Sequence, residues 1–327
     1  MRIGTSVGLQ VDGPQTIDDV VDEVRRAAEV GLTGAWWSQT FGWDALTAIV
    51  AAGLAVPDIE LGTAVVPTYP RHPLALASQA LSTRAAVGDR LTLGVGPSHA
   101  PIIEGALGVP FDRPARHTRE YLAALAPLLG GEAVDVRGEV IRAAGQVVVP
   151  GASPPRLLLS ALGPAMLRIA GELTDGTVVT WTGVRTLESH IVPTITAAAE
   201  GAGRPEPGVV LSVCIAVTAD PDGARTWVAE RFGAADDLPS YRAMLDREGV
   251  RSATDLLVAG DEATVERGLR RLADAGVTEF IAAPVGDAAQ VGRTLAFLGG
   301  LSSGPRSPAI AARSTRGPVS PTAPSPA

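Results

Sequence analysis

Eight short apolar runs, separated by longer helical patterns, constrain this 327-residue chain more than any other feature. They fall at about 2–8 (RIGTSVG), 34–38 (GAWWS), 59–65 (IELGTAV), 90–95 (RLTLGV), 156–160 (RLLLS), 176–181 (GTVVTW), 209–217 (VVLSVCIAV) and 278–283 (TEFIAA). Between them lie segments such as TIDDVVDEVRRAAEVG. There, apolar residues recur at intervals of three and four and a glycine closes the pattern, as in an amphipathic helix. The strands are uniformly apolar rather than alternating, which is expected of parallel strands covered on both faces. Eight strand–helix units in about 300 residues fit an α/β fold, a (β/α)8 TIM barrel with short insertions. A doubly wound sheet has the same alternation, and periodicity alone does not separate the two.

Residues 132–149 (EAVDVRGEVIRAAGQVVV) interrupt the rhythm with short strand-like pieces and turns, predicting a hairpin inserted before the fifth strand. A helical insertion is expected over 238–257, ahead of the last repeat. The barrel domain is accordingly assigned to residues 1–302. From 303 to 327 the chain is rich in Ser, Pro and Ala without apolar periodicity, and is expected to be disordered.

Composition removes several function classes. The net charge is −8, and the three arginines of the last 25 residues (Arg306, Arg313 and Arg316) leave the body near −11. A body of that sign, without a basic stripe, argues against a nucleic-acid partner or an anionic membrane surface. All 27 basic residues are arginine. Without a lysine amine there is no Schiff-base aldolase, no pyridoxal-phosphate enzyme and no Walker-type phosphate loop. Asparagine is also absent, which excludes a cysteine–histidine–asparagine triad. The single cysteine, Cys214, sits in an apolar run and reads as a small packed hydrophobe, with no disulfide and no thiolate metal cluster. Met1-Arg2 leads straight into a strand-like run, and no 18-residue apolar span follows, so a cytoplasmic location is expected.

The stretch RLTLGVGPSHAP (90–101) admits three readings. A dinucleotide fingerprint needs G-x-G-x-x-G, but His99 stands at the third glycine and the stretch follows the fourth strand rather than the first. Gly96-Pro97-Ser98-His99-Ala100 is one residue from the G-x-S-x-G elbow of a serine hydrolase. Pro101 is awkward in the helix an elbow requires, and the later histidines, His117 and His190, both lie in helix-like stretches. The third reading is the rim of a barrel, where loops at the C-terminal ends of the strands form the site and glycines admit a ligand close to the backbone.

Three stretches together resemble the bacterial luciferase-like oxidoreductases, in particular their coenzyme F420-dependent branch. They are LGTAVVPTYPRHPLALA (61–77), RLTLGVGPSHAPIIEGALGVPFDRPARHTREYLAAL (90–125) and LLLSALGPAMLRIAGELTDGTVVTW (157–181). Their order and spacing match over about residues 1–300, and the resemblance implies the barrel more strongly than periodicity does. It implies a non-prolyl cis bond at Ala64–Val65, in a bulge after strand three that supports the middle ring of a deazaflavin. It also implies that Ala161, Leu162 and Gly163 run along the cofactor. Pro164 suits the first turn of a helix whose free backbone N–H groups favour a phosphate.

Relatives often carry an acid, frequently followed by histidine, just after strand two. Here Gln39 and Thr40 stand in those places. Glutamine forms hydrogen bonds but does not shuttle protons near neutral pH, so His99 is the best substitute and Gln39 the second catalytic candidate. Gly96 and Ser98 complete the expected cofactor contacts. Of the adjacent tryptophans Trp36 and Trp37, one must face the helix layer. Phe41 and Trp43 are the candidate substrate-pocket residues. His72 belongs to a helix start, His117 to a helix, and Glu104 and Glu120 are loop or helix anchors without a catalytic role.

The resemblance therefore implies an enzyme that moves a hydride between coenzyme F420 and a small organic substrate. The alternatives are an FMN-dependent luciferase-like monooxygenase, a cofactor-binding barrel without catalysis and, remotely, a serine hydrolase. The expected partner is a small molecule, with no metal, and a homodimer is compatible with the resemblance.

Overall fold

The computed structural model describes residues 1–8 and 15–302. The tail from 303 to 327 lies outside the described residues. In chain order the strands are β1 (Arg2–Val7), β2 (Gly34–Trp37), β3 (Glu60–Thr63), β4 (Val66–Pro67), β5 (Leu91–Gly96) and β6 (Val134–Arg137). They continue with β7 (Arg142–Gly145), β8 (Arg156–Ser160), β9 (Gly176–Thr180), β10 (Gly208–Val217), β11 (Val258–Gly260) and β12 (Glu279–Pro284).

Strands β1, β2, β3, β5, β8, β9, β10 and β12 pair in that order, each parallel to the next, and β12 pairs back onto β1. That last pairing, with Arg2 opposite Glu279, closes the sheet into an eight-stranded (β/α)8 barrel and excludes the doubly wound alternative. Strand three is shorter than its apolar run. It stops at Thr63, the Ala64–Val65 bond is cis, and the path resumes as β4, which pairs with β5. The small strand β11, not anticipated from the sequence, adds to β10 outside the closed ring.

The two faces of each strand explain the uniform apolar runs. Outward-facing residues such as Ile3, Leu61, Leu93 and Leu159 join the helices in one large core. Inward-facing Trp36, Leu158, Val178, Val210 and Ile281 form a second, smaller cluster inside the barrel. Trp37 faces the helix layer while Trp36 faces inward, as strand alternation requires. Three glycines on three adjacent strands make room for the Trp36 indole. A Cβ at Gly62 would lie 2.4 Å from its ring, at Gly4 3.0 Å and at Gly34 3.1 Å.

The N-terminal end of the barrel is closed by charge. Glu279 on β12 is buried and is paired with Arg2 on β1 and with Arg156 on β8, the latter at 3.3 Å. Strands β6 and β7 form an antiparallel hairpin outside the barrel, Val134 opposite Gly145 and Arg137 opposite Arg142. The Glu120 carboxylate, on the helix Pro114–Leu129, accepts from the backbone N–H groups of Glu139, Val140 and Ile141 at 3.2, 2.8 and 2.9 Å. His72 caps the helix Pro73–Ala86 through Nδ1, and its Nε2 donates to the Arg142 carbonyl of the hairpin at 2.8 Å. The stretch between β10 and β11 holds the helices Pro221–Phe232 and Pro239–Glu248 and two 3-10 turns, Gly233–Asp237 and Ala253–Leu256.

Candidate active site

At the C-terminal mouth of the barrel is a cavity of about 320 Å³. Its floor is the inner apolar cluster, with Trp36, Val178 and Ile281, and one side is the bulge residues Ala64 and Val65. Around the floor stands a ring of hydroxyls from the strand ends: Ser6, Ser38, Ser160, Thr180 and Ser212. Three of them donate to main-chain carbonyls: Ser38 to Ala64 (2.7 Å), Ser6 to Ala282 (3.1 Å) and Thr180 to Ser212 (3.0 Å). Trp181, Phe232 and Tyr241 form the opposite wall.

The glycines of β5 are packed tightly against that bulge. A Cβ at Gly94 would fall 2.1 Å from the Thr63 carbonyl oxygen, and one at Gly96 would fall 2.9 Å from Val65 and 3.0 Å from Ser160. Beyond Gly96 the chain turns through Ser98, which has a left-handed φ of 64°, into His99. Trp181, at the end of β9, is left-handed too, with φ 49°. Left-handed non-glycine residues are uncommon, and both of these border the cavity.

The lining contains no Asp, Glu or Arg. Its titratable groups are His99, Cys214 and Tyr241, and burial acts on each in the direction of neutrality. It pushes the His99 imidazole below its ordinary value, the Cys214 thiol up to about 12 and the Tyr241 phenol up to about 12. The cavity is therefore uncharged near neutral pH. His99 Nε2 lies 3.1 Å from the Tyr241 hydroxyl, and the two rings meet edge to face at 4.9 Å.

Of the residues singled out in the sequence, Ala64, Val65, Gly96, Ser98, His99 and Leu162 line the cavity. Ala161, just before Leu162, packs in the outer core, and Gly163 and Pro164 lead on to the helix Pro164–Leu173; these three do not line the cavity. No side chain caps that helix, Pro164 has no N–H, and a Cβ at Gly163 would meet nothing within 4 Å. The first-turn amides thus have no side-chain cap. Leu162 is fixed from behind, because His190 Nε2 donates to its carbonyl at 2.8 Å.

Three further expected residues, Gln39, Phe41 and Trp43, also lie outside the lining. Gln39 does not line the cavity; its side chain is taken up by its own loop, Oε1 accepting from Ala45 N (2.7 Å) and Nε2 donating to the Thr40 carbonyl (3.1 Å). Phe41 is 73% exposed and Trp43 46% exposed. The chain after β2 turns outward, and Trp43 Nε1 donates to the Gln15 carbonyl. The elbow reading lacks its base: His72, His117 and His190 bond to Arg142, Thr68 and Leu162, and His99 to Tyr241, so none reaches Ser98.

The residues that sequence reasoning missed are the hydroxyl ring and the aromatic wall. Ser160 and Thr180 end apolar runs, a polar residue at the C-terminal end of a barrel strand being a readable signal. Tyr241 carries no local signal, because only the return of its helix over the mouth makes it part of the site.

This is a parallel barrel with a cavity at its C-terminal mouth whose lining holds no Asp, Glu or Arg. The profile of the luciferase-like monooxygenase family matches residues 1–298, and the chain belongs to that family of oxidoreductases. It is 26% identical over 255 residues to a 5,10-methylenetetrahydromethanopterin reductase of Methanolobus tindarius, covering 77% of this chain and 78% of that protein. The coenzyme F420-dependent tetrahydromethanopterin reductase of Methanopyrus kandleri superposes with a TM-score of 0.73 at 22% identity, over 91% of this chain and 98% of that one. An FMN complex of the oxygenating constituent of 3,6-diketocamphane monooxygenase from Pseudomonas putida gives 0.75 at 16% identity, over 91% and 96%. These two structures share the fold.

Proposed function

We propose that this chain is a coenzyme F420-dependent oxidoreductase that moves a hydride between the deazaflavin C5 and a small, uncharged organic substrate. The observation that carries this reading is the composition of the cavity: an apolar floor and bulge, one imidazole, no ionised side chain, and an uncapped helix start beside it. The reductase of Methanopyrus kandleri, which shares this fold and is named as coenzyme F420-dependent, supports the choice of cofactor.

The residues fit such a group. Ala64 and Val65 would support the ring, Leu162 and Gly163 would border its chain, and the first-turn amides behind Pro164 would receive a phosphate. Coenzyme F420, when bound, supplies two-electron hydride chemistry at its C5 carbon. Trp181, Phe232 and Val213 would exclude water from the substrate side. A carbonyl oxygen reduced by hydride needs a proton, and an alcohol oxidised in the reverse sense must release one. His99, neutral by burial, is the lining group suited to that exchange near neutral pH.

The test is parallel fluorescence titration of the purified protein with coenzyme F420 and with FMN. Micromolar or tighter binding of coenzyme F420, with FMN at least tenfold weaker, is the expected result. The reverse preference would make the chain a monooxygenase and direct the next assay to oxygen uptake, and binding of neither would overturn the reading.

A further inference from the structure

We propose that Tyr241 is a positioning residue for His99: its hydroxyl donates to Nε2 and holds the ring as the Nδ1–H tautomer, so that Nδ1 presents the ring's one N–H to the substrate oxygen. When that proton leaves, Nε2 takes the Tyr241 proton, the transfer running backwards when an alcohol is oxidised. This rests on the reading of His99 as the proton-exchanging group of the site.

The Tyr241 oxygen and His99 Nε2 are 3.1 Å apart, and among the described residues neither Tyr241 Oη nor His99 Nδ1 has another hydrogen-bond partner. Either group could donate in principle. A phenol O–H is a strong donor, whereas the phenol oxygen is a weak acceptor because its lone pairs are shared with the ring. The bare nitrogen of a neutral imidazole is a strong acceptor. The O–H to N arrangement therefore outweighs N–H to O. Burial keeps the phenol protonated and the imidazole neutral, so both partners are in the required state.

Two other histidines are held the opposite way. Nε2 of His72 and Nε2 of His190 each lie 2.8 Å from a main-chain carbonyl, of Arg142 and Leu162. A carbonyl only accepts, so both rings must be Nε2–H. His99 instead faces a group that donates, and it should stand apart from them in one spectrum.

The phenol is held at the mouth by the helix Pro239–Glu248, which is fixed at its far end. The Glu248 carboxylate accepts from the backbone N–H groups of Arg185 (3.2 Å) and Thr186 (2.7 Å) in the segment after β9. The Arg242 guanidinium donates to the carbonyls of Val250 (2.9 Å) and Arg251 (2.7 Å) just beyond the helix. The inserted segment thus delivers a donor to His99 that no barrel strand supplies.

The test is a long-range proton–nitrogen NMR correlation of the four imidazoles in the full-length protein at pH 7.5, without ligand. The His99 signal is identified by its loss in His99→Gln. His99 is expected as Nδ1–H, with His72 and His190 as Nε2–H. In Tyr241→Phe, which keeps the ring but removes the hydroxyl, His99 should shift toward Nε2–H while His72 and His190 stay unchanged, showing that the fold is intact. Wild-type His99 in the Nε2–H form, or a Tyr241→Phe spectrum unaltered at His99, would overturn the proposal. With bound cofactor and an accepted substrate, Tyr241→Phe should lower kcat about tenfold with little change in KM. The tautomer is read without cofactor, so a failure to bind coenzyme F420 would remove the reaction assigned above and leave the Tyr241–His99 result standing on its own.

Discussion

Trp36 shows how a single side chain decides the shape of the site. Its indole fills the barrel below the cavity because Gly4, Gly34 and Gly62 carry no Cβ to oppose it. Gly62→Ala should cost about 2 kcal/mol of stability by overpacking, read from urea unfolding followed by tryptophan fluorescence. His117 makes a second prediction. Its ring stacks on Tyr69 at 3.8 Å with Nε2 3.0 Å from the Thr68 hydroxyl, and burial pushes its pKa down to about 4. Its folded value is below the unfolded value of about 6.5, so below that pH the unfolded chain binds more protons than the folded one. Stability should therefore fall as pH drops from about 6.5 toward 4. His117→Gln, although weaker at pH 7.5 for loss of the stack, should lose less between pH 7.5 and 5.

At the scale of elements, the helix Pro164–Leu173 and the β6–β7 hairpin can be tested separately. Gly163 is the N-cap of that helix, with an ordinary φ of −77° and open space around it. Gly163→Asp would supply the missing cap and raise stability by a few tenths of a kcal/mol, while its charge repels a phosphate. Coenzyme F420 should then bind about tenfold more weakly, a loss of ~1.4 kcal/mol. Affinity and stability moving in opposite directions would identify these amides as the anion site; unchanged affinity would remove that role. The turn of the hairpin gives three amides to the Glu120 carboxylate, so Glu120→Ala should speed hydrogen exchange at the amides of residues 139–141 at least tenfold. Cofactor affinity should stay within twofold, because the hairpin lies outside the barrel.

Over the whole molecule, stability and chemistry are divided between the two ends of the barrel. The N-terminal end holds the buried Glu279 between Arg2 and Arg156, linking β12 to β1 and β8. Removing the carboxylate takes the buried partner from two guanidinium groups, of which Arg2 keeps only the more distant Glu60. Glu279→Ala should cost about 3 kcal/mol in urea unfolding. Coenzyme affinity of the remaining folded protein should be unaltered, since the cavity opens at the opposite end. A change in affinity without a change in stability would contradict this division.

The sequence by itself determined the barrel strands and much of one side of the site. Burial on both faces leaves an apolar run that can be counted, and Gly96, Ser98 and His99 stand at the end of one; Ala64, Val65 and Leu162 were implied only by the family resemblance, and all six line the cavity. It also indicated that Trp36 and Trp37 face opposite ways, because strand periodicity is local. Gln39, Phe41 and Trp43 do not line the cavity, because chain proximity to β2 does not fix where a loop turns, and here the Trp43–Gln15 bond carries it outward. Only the tertiary structure decided the closure of β12 on β1, the cluster at Glu279 and the meeting of Tyr241 with His99. Those contacts join residues 277 and 142 positions apart, and no local pattern records such a distance.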